Sequence, residues 1–189
     1  MVGNPKKFDS VDVLRALMFI DSDVSRTAVV EALGIGEGSA RAVLDILKEK
    51  GLIASTRQGH SLTKKGLSVR QKIMSFVQYR QCFPDFFLGF QKCAVLIRPG
   101  EKVRPGYFQR DAAIKNGAEA AMLLVYDTGL RMMESDDFDC TPMESLFSFR
   151  KDDILLITVA KSRYLAERSG IAVCIEMLPG LRTILEKNL

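Results

Sequence analysis

Between residues 10 and 63 the apolar residues of this chain change their spacing once, from a helical period to an alternating one. Few folds accept that change where it falls. Ser10 can N-cap a first helix whose apolar stripe is Val13, Leu14, Leu17 and Met18. The polar run Asp21-Ser22-Asp23 ends it, and Ser25 offers a fresh N-cap to a second helix, Arg26 to Leu33. Gly34-Ile35-Gly36 reads as a short turn whose glycines tolerate positive φ and whose isoleucine plugs the gap between two helices. A third helix, from about Glu37 to Lys50, turns Ala40, Val43, Leu44 and Leu47 inward at i, i+3, i+4, i+7, and Gly51 stands at its C′ position. From Leu52 the period is two: Leu52–Thr56 and Ser61–Thr63 are predicted to pair as a hairpin with Arg57, Gln58, Gly59 and His60 at its tip. Thr63 then caps another helix starting at Lys64.

Helix, helix, glycine turn, helix, hairpin, helix is the order of a winged helix-turn-helix. Three strings carry a resemblance to archaeal winged-helix regulators. They are Ser25-Arg26 with Leu33-Gly34-Ile35-Gly36-Glu37-Gly38-Ser39-Ala40-Arg41, then Leu47-Lys48-Glu49-Lys50-Gly51-Leu52-Ile53, and Gly59-His60-Ser61-Leu62-Thr63-Lys64-Lys65-Gly66. This layout sends the third helix into a DNA major groove, where base edges are distinguishable. Arg41 is then the candidate for bidentate contact with guanine. Gly38 and Ser39 let helix-start N–H groups approach a phosphate, and Lys48 lies further along the same face. Arg57, Gln58 and His60 reach from the hairpin, while Arg26, Lys64 and Lys65 add phosphate contacts. Each has a plainer reading as a solvated surface residue, and Arg26 could pair with Glu31 or Asp23.

Charge placement favours the nucleic-acid reading. Residues 1–80 hold 13 Lys/Arg against 8 Asp/Glu, whereas residues 81–189 hold 14 against 15. A basic half beside a neutral one fits a polyanion-binding module joined to something else. Acidic Glu37 and Asp45 on the third helix run against this trend.

Leu67 to Gln81 contains no Gly or Pro and is predicted to continue as one helix, followed by a Phe-rich connector, Phe83 to Phe90. The C-terminal part alternates strand and helix. Strands are expected at Cys93–Ile97, Ala121–Tyr126 and Ile154–Val159, with a hairpin partner at Leu130–Met133. Helices are expected at Tyr107–Asn116, about Met143–Phe147, Ser162–Ser169 and Gly180–Leu189, with Ile171–Met177 a strand or a helical continuation. The continuously apolar strands and the hairpin together predict an α/β layer with a mixed sheet, so the whole chain is α+β or α/β. The strings from Gly106 to Ala121 and from Asp152 to Ile157 resemble archaeal two-domain proteins that pair a winged helix with a C-terminal domain of unknown function. That resemblance implies the pairing of domains and no ligand. Archaeal riboflavin kinases also pair a winged helix with a second domain, but their glycine-rich nucleotide-binding segment is not found here.

Chemistry in the C-terminal part is thinly marked. It contains no histidine, GxGxxG, Walker A or GxSxG pattern. Glu134, Asp136, Asp137 and Asp139 form an acidic run that reads as solvated loop, so no metal and no cofactor is predicted. Arg98, Lys102 and Arg104 lead into a helix start at Gly106, with Arg110 one turn on, and could bind an anionic small molecule. The four cysteines, Cys82, Cys93, Cys140 and Cys174, lack metal-type spacing and read as reduced core thiols. Neither a signal peptide nor an apolar span is evident, so a cytoplasmic protein is expected.

The sequence therefore predicts three parts: residues 1–80 as a DNA-binding domain, 81–91 as connector, and 92–189 as a sensing or assembly domain. The expected function is a homodimeric, sequence-specific transcription regulator acting on double-stranded DNA. Two alternatives stay open: an enzyme acting on a small phosphorylated metabolite with an accessory winged helix, and a winged-helix protein–protein module.

Overall fold

The helix α1, Ser10–Phe19, starts one residue earlier than the sequence suggests, because Asp9 and not Ser10 is its N-cap. The Asp9 carboxylate accepts from the Val11 N–H at 2.9 Å, and Asp12 accepts from the Asp9 N–H at 3.2 Å. This computed structural model describes residues 8–80, 89–98, 106–132 and 138–189. Helices α2, Arg26–Leu33, and α3, Glu37–Glu49, follow as expected, then the hairpin strands β1, Ile53–Ser55, and β2, His60–Leu62. The hairpin is antiparallel, with Ile53 opposite Leu62 and Ser55 opposite His60.

Helix α4, Lys64–Phe76, stops short of the continuous helix predicted to Gln81. Val77–Arg80 instead form strand β3. No glycine or proline marks the change. Val77 is buried opposite Ile97, and the sheet supplies backbone partners that a helix would otherwise supply. Tertiary pairing has overridden helix propensity here.

The chain divides into two compact units between Ile73 and Met74, with Arg182–Leu189 grouped with the first. The second unit is built on five strands in the order β3-β4-β7-β5-β6. Besides β3 these are β4, Gln91–Ile97; β5, Ala120–Tyr126; β6, Leu130–Met132; and β7, Ile154–Ala160. Among the described residues every pairing of this sheet is antiparallel, which corrects the expected mixed sheet and settles the class as α+β. The reason is topological. Strands β4 and β5 are each antiparallel to β7 and so run parallel to one another, but β7 lies between them. The crossover through α5, Tyr107–Lys115, is present, yet it joins strands that never touch.

All seven residues of β7 are buried because both sheet faces are covered. On one face Leu96, Leu124, Leu155 and Ile157 meet Cys140, Met143, Leu146 and Phe147 from the segment around the short helix α6, Thr141–Glu144. On the other lies α7, Arg163–Met177, which absorbs the ambiguous Ile171–Met177 stretch as helix. A Cβ at Gly170 would stand 2.8 Å from the Val95 side chain and 3.3 Å from the Thr158 hydroxyl, so glycine is what lets α7 lie this close. Helix α8, Pro179–Asn188, ends the chain. Cys93, Cys140 and Cys174 form no disulfide and are buried, as core thiols should be; Cys82 lies outside the described residues. Among the described residues no helix is long and apolar enough to cross a membrane.

Candidate nucleic-acid interface

The geometry of the N-terminal unit begins inside it. Arg15 of α1 is fully buried and donates to the carbonyls of Leu33 and Ala32 at 3.0 and 3.2 Å, closing the C-terminal end of α2. Asp12, equally buried, lies 3.5 Å from it. The pair is not legible in the sequence: Asp12 and Arg15 lie on the side of α1 away from the Val13-Leu14-Leu17-Met18 stripe, where an i, i+3 ion pair reads as a solvated face, yet residues 11–17 are all buried. It fixes the departure of the turn: Gly34 follows with φ of 64°, a conformation that favours glycine, and Ile35 is buried as the plug.

Helix α3 leaves that turn with Ala40, Val43, Leu44 and Leu47 buried. Gly38, Arg41, Asp45 and Lys48 are exposed along the opposite stripe, and Ser39 is half-buried beside it. No side chain caps the helix start at Gly36. A Cβ at Gly38 would meet nothing within 4 Å, so the fold itself does not call for glycine there. Lys48 lies 3.6 Å from Asp45 in a largely exposed pair. Such pairs contribute about 0–1 kcal/mol, so Lys48 can exchange its partner cheaply.

The hairpin is held to the residues preceding α2. His60 and Val24 exchange backbone hydrogen bonds of 2.8 and 2.9 Å, and a Cβ at Gly59 would stand 2.7 Å from the Asp23 backbone. Arg57 and Gln58 are exposed at the tip, whereas His60, expected there, opens β2 opposite Ser55. His60 lies half-buried, with Nδ1 2.7 Å from the Ser55 hydroxyl. Partial burial holds its pKa below 6.5, the positive charges of Lys48 and Arg26 depress it further, and Asp45 opposes them. Arg26 of α2 and Lys48 of α3 thus lie near enough to His60 of β2 for their charges to act on its ring, as does Asp45.

Lys64 and Lys65 open α4. Lys64 is exposed. The Lys65 ammonium donates to the Lys50 carbonyl at 2.7 Å, so this lysine caps the end of α3 in addition to any phosphate role. Gly66 is required for close approach, since a Cβ there would collide with the Leu52 carbonyl. Arg70, which the sequence did not mark, ties α4 to the end of α1 through the Ile20 carbonyl and Asp21 at 3.1 and 2.9 Å.

The anion-binding loop expected in the second unit fares differently. Arg98 faces inward: its guanidinium lies 3.5 Å from buried Asp153 and donates to the Ser148 carbonyl at 2.9 Å. The Gly106 N–H, expected to be open at the α5 start, donates to the Gln109 side chain at 2.7 Å. Arg110 is exposed on α5, while Lys102 and Arg104 lie outside the described residues. Of the acidic run, Glu134, Asp136 and Asp137 also lie outside them, and Asp139 accepts from the Thr141 N–H at 3.0 Å.

Residues 10–68 match a family model described as PH0730-like, N-terminal domain, and residues 88–177 match a domain of unknown function, DUF4443. A solved structure, a hypothetical protein PH0730 from Pyrococcus horikoshii OT3, is similar in fold. It has a TM-score of 0.80 at 24% identity over 94% of this chain and 100% of that one. No curated protein matches the chain. The chain thus has a two-domain architecture, a PH0730-like N-terminal domain followed by a DUF4443 domain.

Proposed function

We propose that this protein is a sequence-specific DNA-binding transcription regulator. In this reading the N-terminal unit is a winged helix-turn-helix with α3 as recognition helix and the β1–β2 hairpin as wing. One observation carries it: the exposed α3 stripe of Gly38, Arg41, Asp45 and Lys48, starting at an uncapped helix end and flanked by Arg26 and His60. An α-helix with such a stripe fits the major groove. Arg41 reads a guanine edge, and the helix-start N–H groups at Gly38 and Ser39 take a phosphate. Arg26, Lys48, Arg57, Lys64 and Lys65 neutralise neighbouring phosphates, Gln58 adds a polar contact from the wing, and the second unit senses a small molecule or assembles the protein. Such a protein works in the cytoplasm, where an archaeal chromosome lies.

The test is duplex binding across a salt series. Five neutralised phosphates per copy give a log–log slope of about −4 to −5. Arg41→Ala should cost about 1–3 kcal/mol on the preferred sequence and little on random duplex. A flat salt response, or no binding at low salt, overturns the reading.

A further inference from the structure

Helix α5 buries Ala112 and Ala113 and turns large apolar groups outward. Tyr107 is 67% exposed, Phe108 88% and Ile114 46%. Water disfavours such a set on one short helix unless something covers it. Tyr107, Arg110, Asp111 and Ile114 are spaced i, i+3, i+4, i+7 and therefore form one stripe, and all four are exposed. Among the described residues neither Arg110 nor Asp111 takes part in an ion pair. Read along the helix, the stripe is apolar, basic, acidic, apolar.

That order is self-complementary. Two copies of α5 packed antiparallel about a two-fold axis midway between positions 110 and 111 bring Tyr107 of each copy onto Ile114 of the other. The same axis sets Arg110 of each copy against Asp111 of the other. The Tyr107–Ile114 contact and the Arg110–Asp111 ion pair each form twice, as an isologous interface requires, and Phe108 flanks the seam. We propose that the outer face of α5 is the contact between two copies of this chain. The stripe is roughly 10 Å long at 1.5 Å per residue, smaller than a standard interface, so the dimer it makes is a weak one. This assignment goes beyond the DNA-binding reading and stands or falls independently of it, since it rests wholly on the second unit.

The experiment is sedimentation of the full chain, without DNA, from micromolar to millimolar concentration. Wild type is expected to pass from monomer to dimer. Arg110→Asp places two carboxylates across the axis, Asp111→Arg places two guanidiniums, and each should weaken the dimer by about 100-fold. An equimolar mixture of these two variants restores both attractive pairs and should dimerise, because each copy then meets charges opposite to its own. Tyr107→Ser should weaken association as well and should not be rescued by mixing. All positions are exposed, and an unchanged far-ultraviolet spectrum checks each fold. A wild type that stays monomeric overturns the proposal, as does a dimer indifferent to both charge reversals, or variants that remain monomeric when mixed.

Discussion

In the N-terminal unit Arg26, Arg41, Arg57 and Lys64 stand exposed, whereas in the second unit Arg98 is drawn onto buried Asp153 and a backbone carbonyl. The contrast separates two uses of the same chemistry. A charge left in water on the rim of a rigid element is available to a polyanion. A charge spent inside a fold holds strands and loops in place and is lost to recognition. Loop arginines near a helix start therefore do not mark a ligand site until their partners are known.

One pair cuts across this comparison. Asp12 and Arg15 are buried in the unit whose other charges are mostly exposed. If the pair holds the end of α2 and thereby aims α3, Asp12→Ala should cost about 3–5 kcal/mol in denaturant unfolding, because it removes the counter-charge of a buried guanidinium. A cost below about 1 kcal/mol would show that α1 does not set the α2–α3 geometry. Arg98→Ala tests the other side. Leaving Asp153 with only its bond from the Arg150 N–H, 2.8 Å, should cost about 1–3 kcal/mol of stability. If the variant keeps wild-type stability but loses a thermal shift that phosphate esters cause in the wild type, Arg98 is a ligand residue after all and the contrast collapses.

How far the sequence could be read follows the same division. In the N-terminal unit the buried stripe of α3, the Gly34 turn and the presence of the hairpin are set by residues close in sequence. Local periodicity and turn chemistry were enough. In the second unit β4 finds its partner β7 some sixty residues away, and β7 separates β4 from β5. No window of local pattern contains that information, and a strand buried on both faces looks the same in parallel and antiparallel sheets. Strand β3 was hidden for a related reason: Val77-Gln78-Tyr79-Arg80 is helix-compatible, and only pairing with β4 decides it. At the candidate interface the exposed α3 stripe was legible, while the roles of Lys65 at the Lys50 carbonyl and Lys48 at Asp45 depended on tertiary distances.

Gly38→Ala sharpens the contrast between fold and function within a single residue. With open space around the missing Cβ, alanine should stabilise α3 by about 0.5–1 kcal/mol. If the glycine exists to admit a phosphate, the same variant should bind duplex DNA more weakly. Stability measured by thermal unfolding and affinity measured by titration must then move in opposite directions. Tighter or unchanged DNA binding would remove Gly38 from the interface.

The smallest effect expected is the pH response of His60, and it separates the two uses of charge by sign. Burial, then Lys48 and Arg26, hold the folded-state pKa below 6.5, with Asp45 pulling the other way. The unfolded chain keeps the ordinary value. As pH falls through 6.5 the unfolded state takes up a proton first, so stability present above that pH is progressively lost down to the folded-state pKa. The loss is modest because the ring is only half-buried and water screens it. In the proposed DNA complex the electrostatics should reverse, because phosphates beside Arg26 and Lys48 would offset the two cations and favour the imidazolium. DNA affinity should therefore rise over the same pH window in which stability falls, and His60→Gln should flatten both curves. His60 is the one histidine of the chain, so its ring resonances report the titration directly by NMR. An imidazole pKa that does not move upward when duplex DNA is added would place the hairpin away from the phosphates, and α3 would have to bind without it.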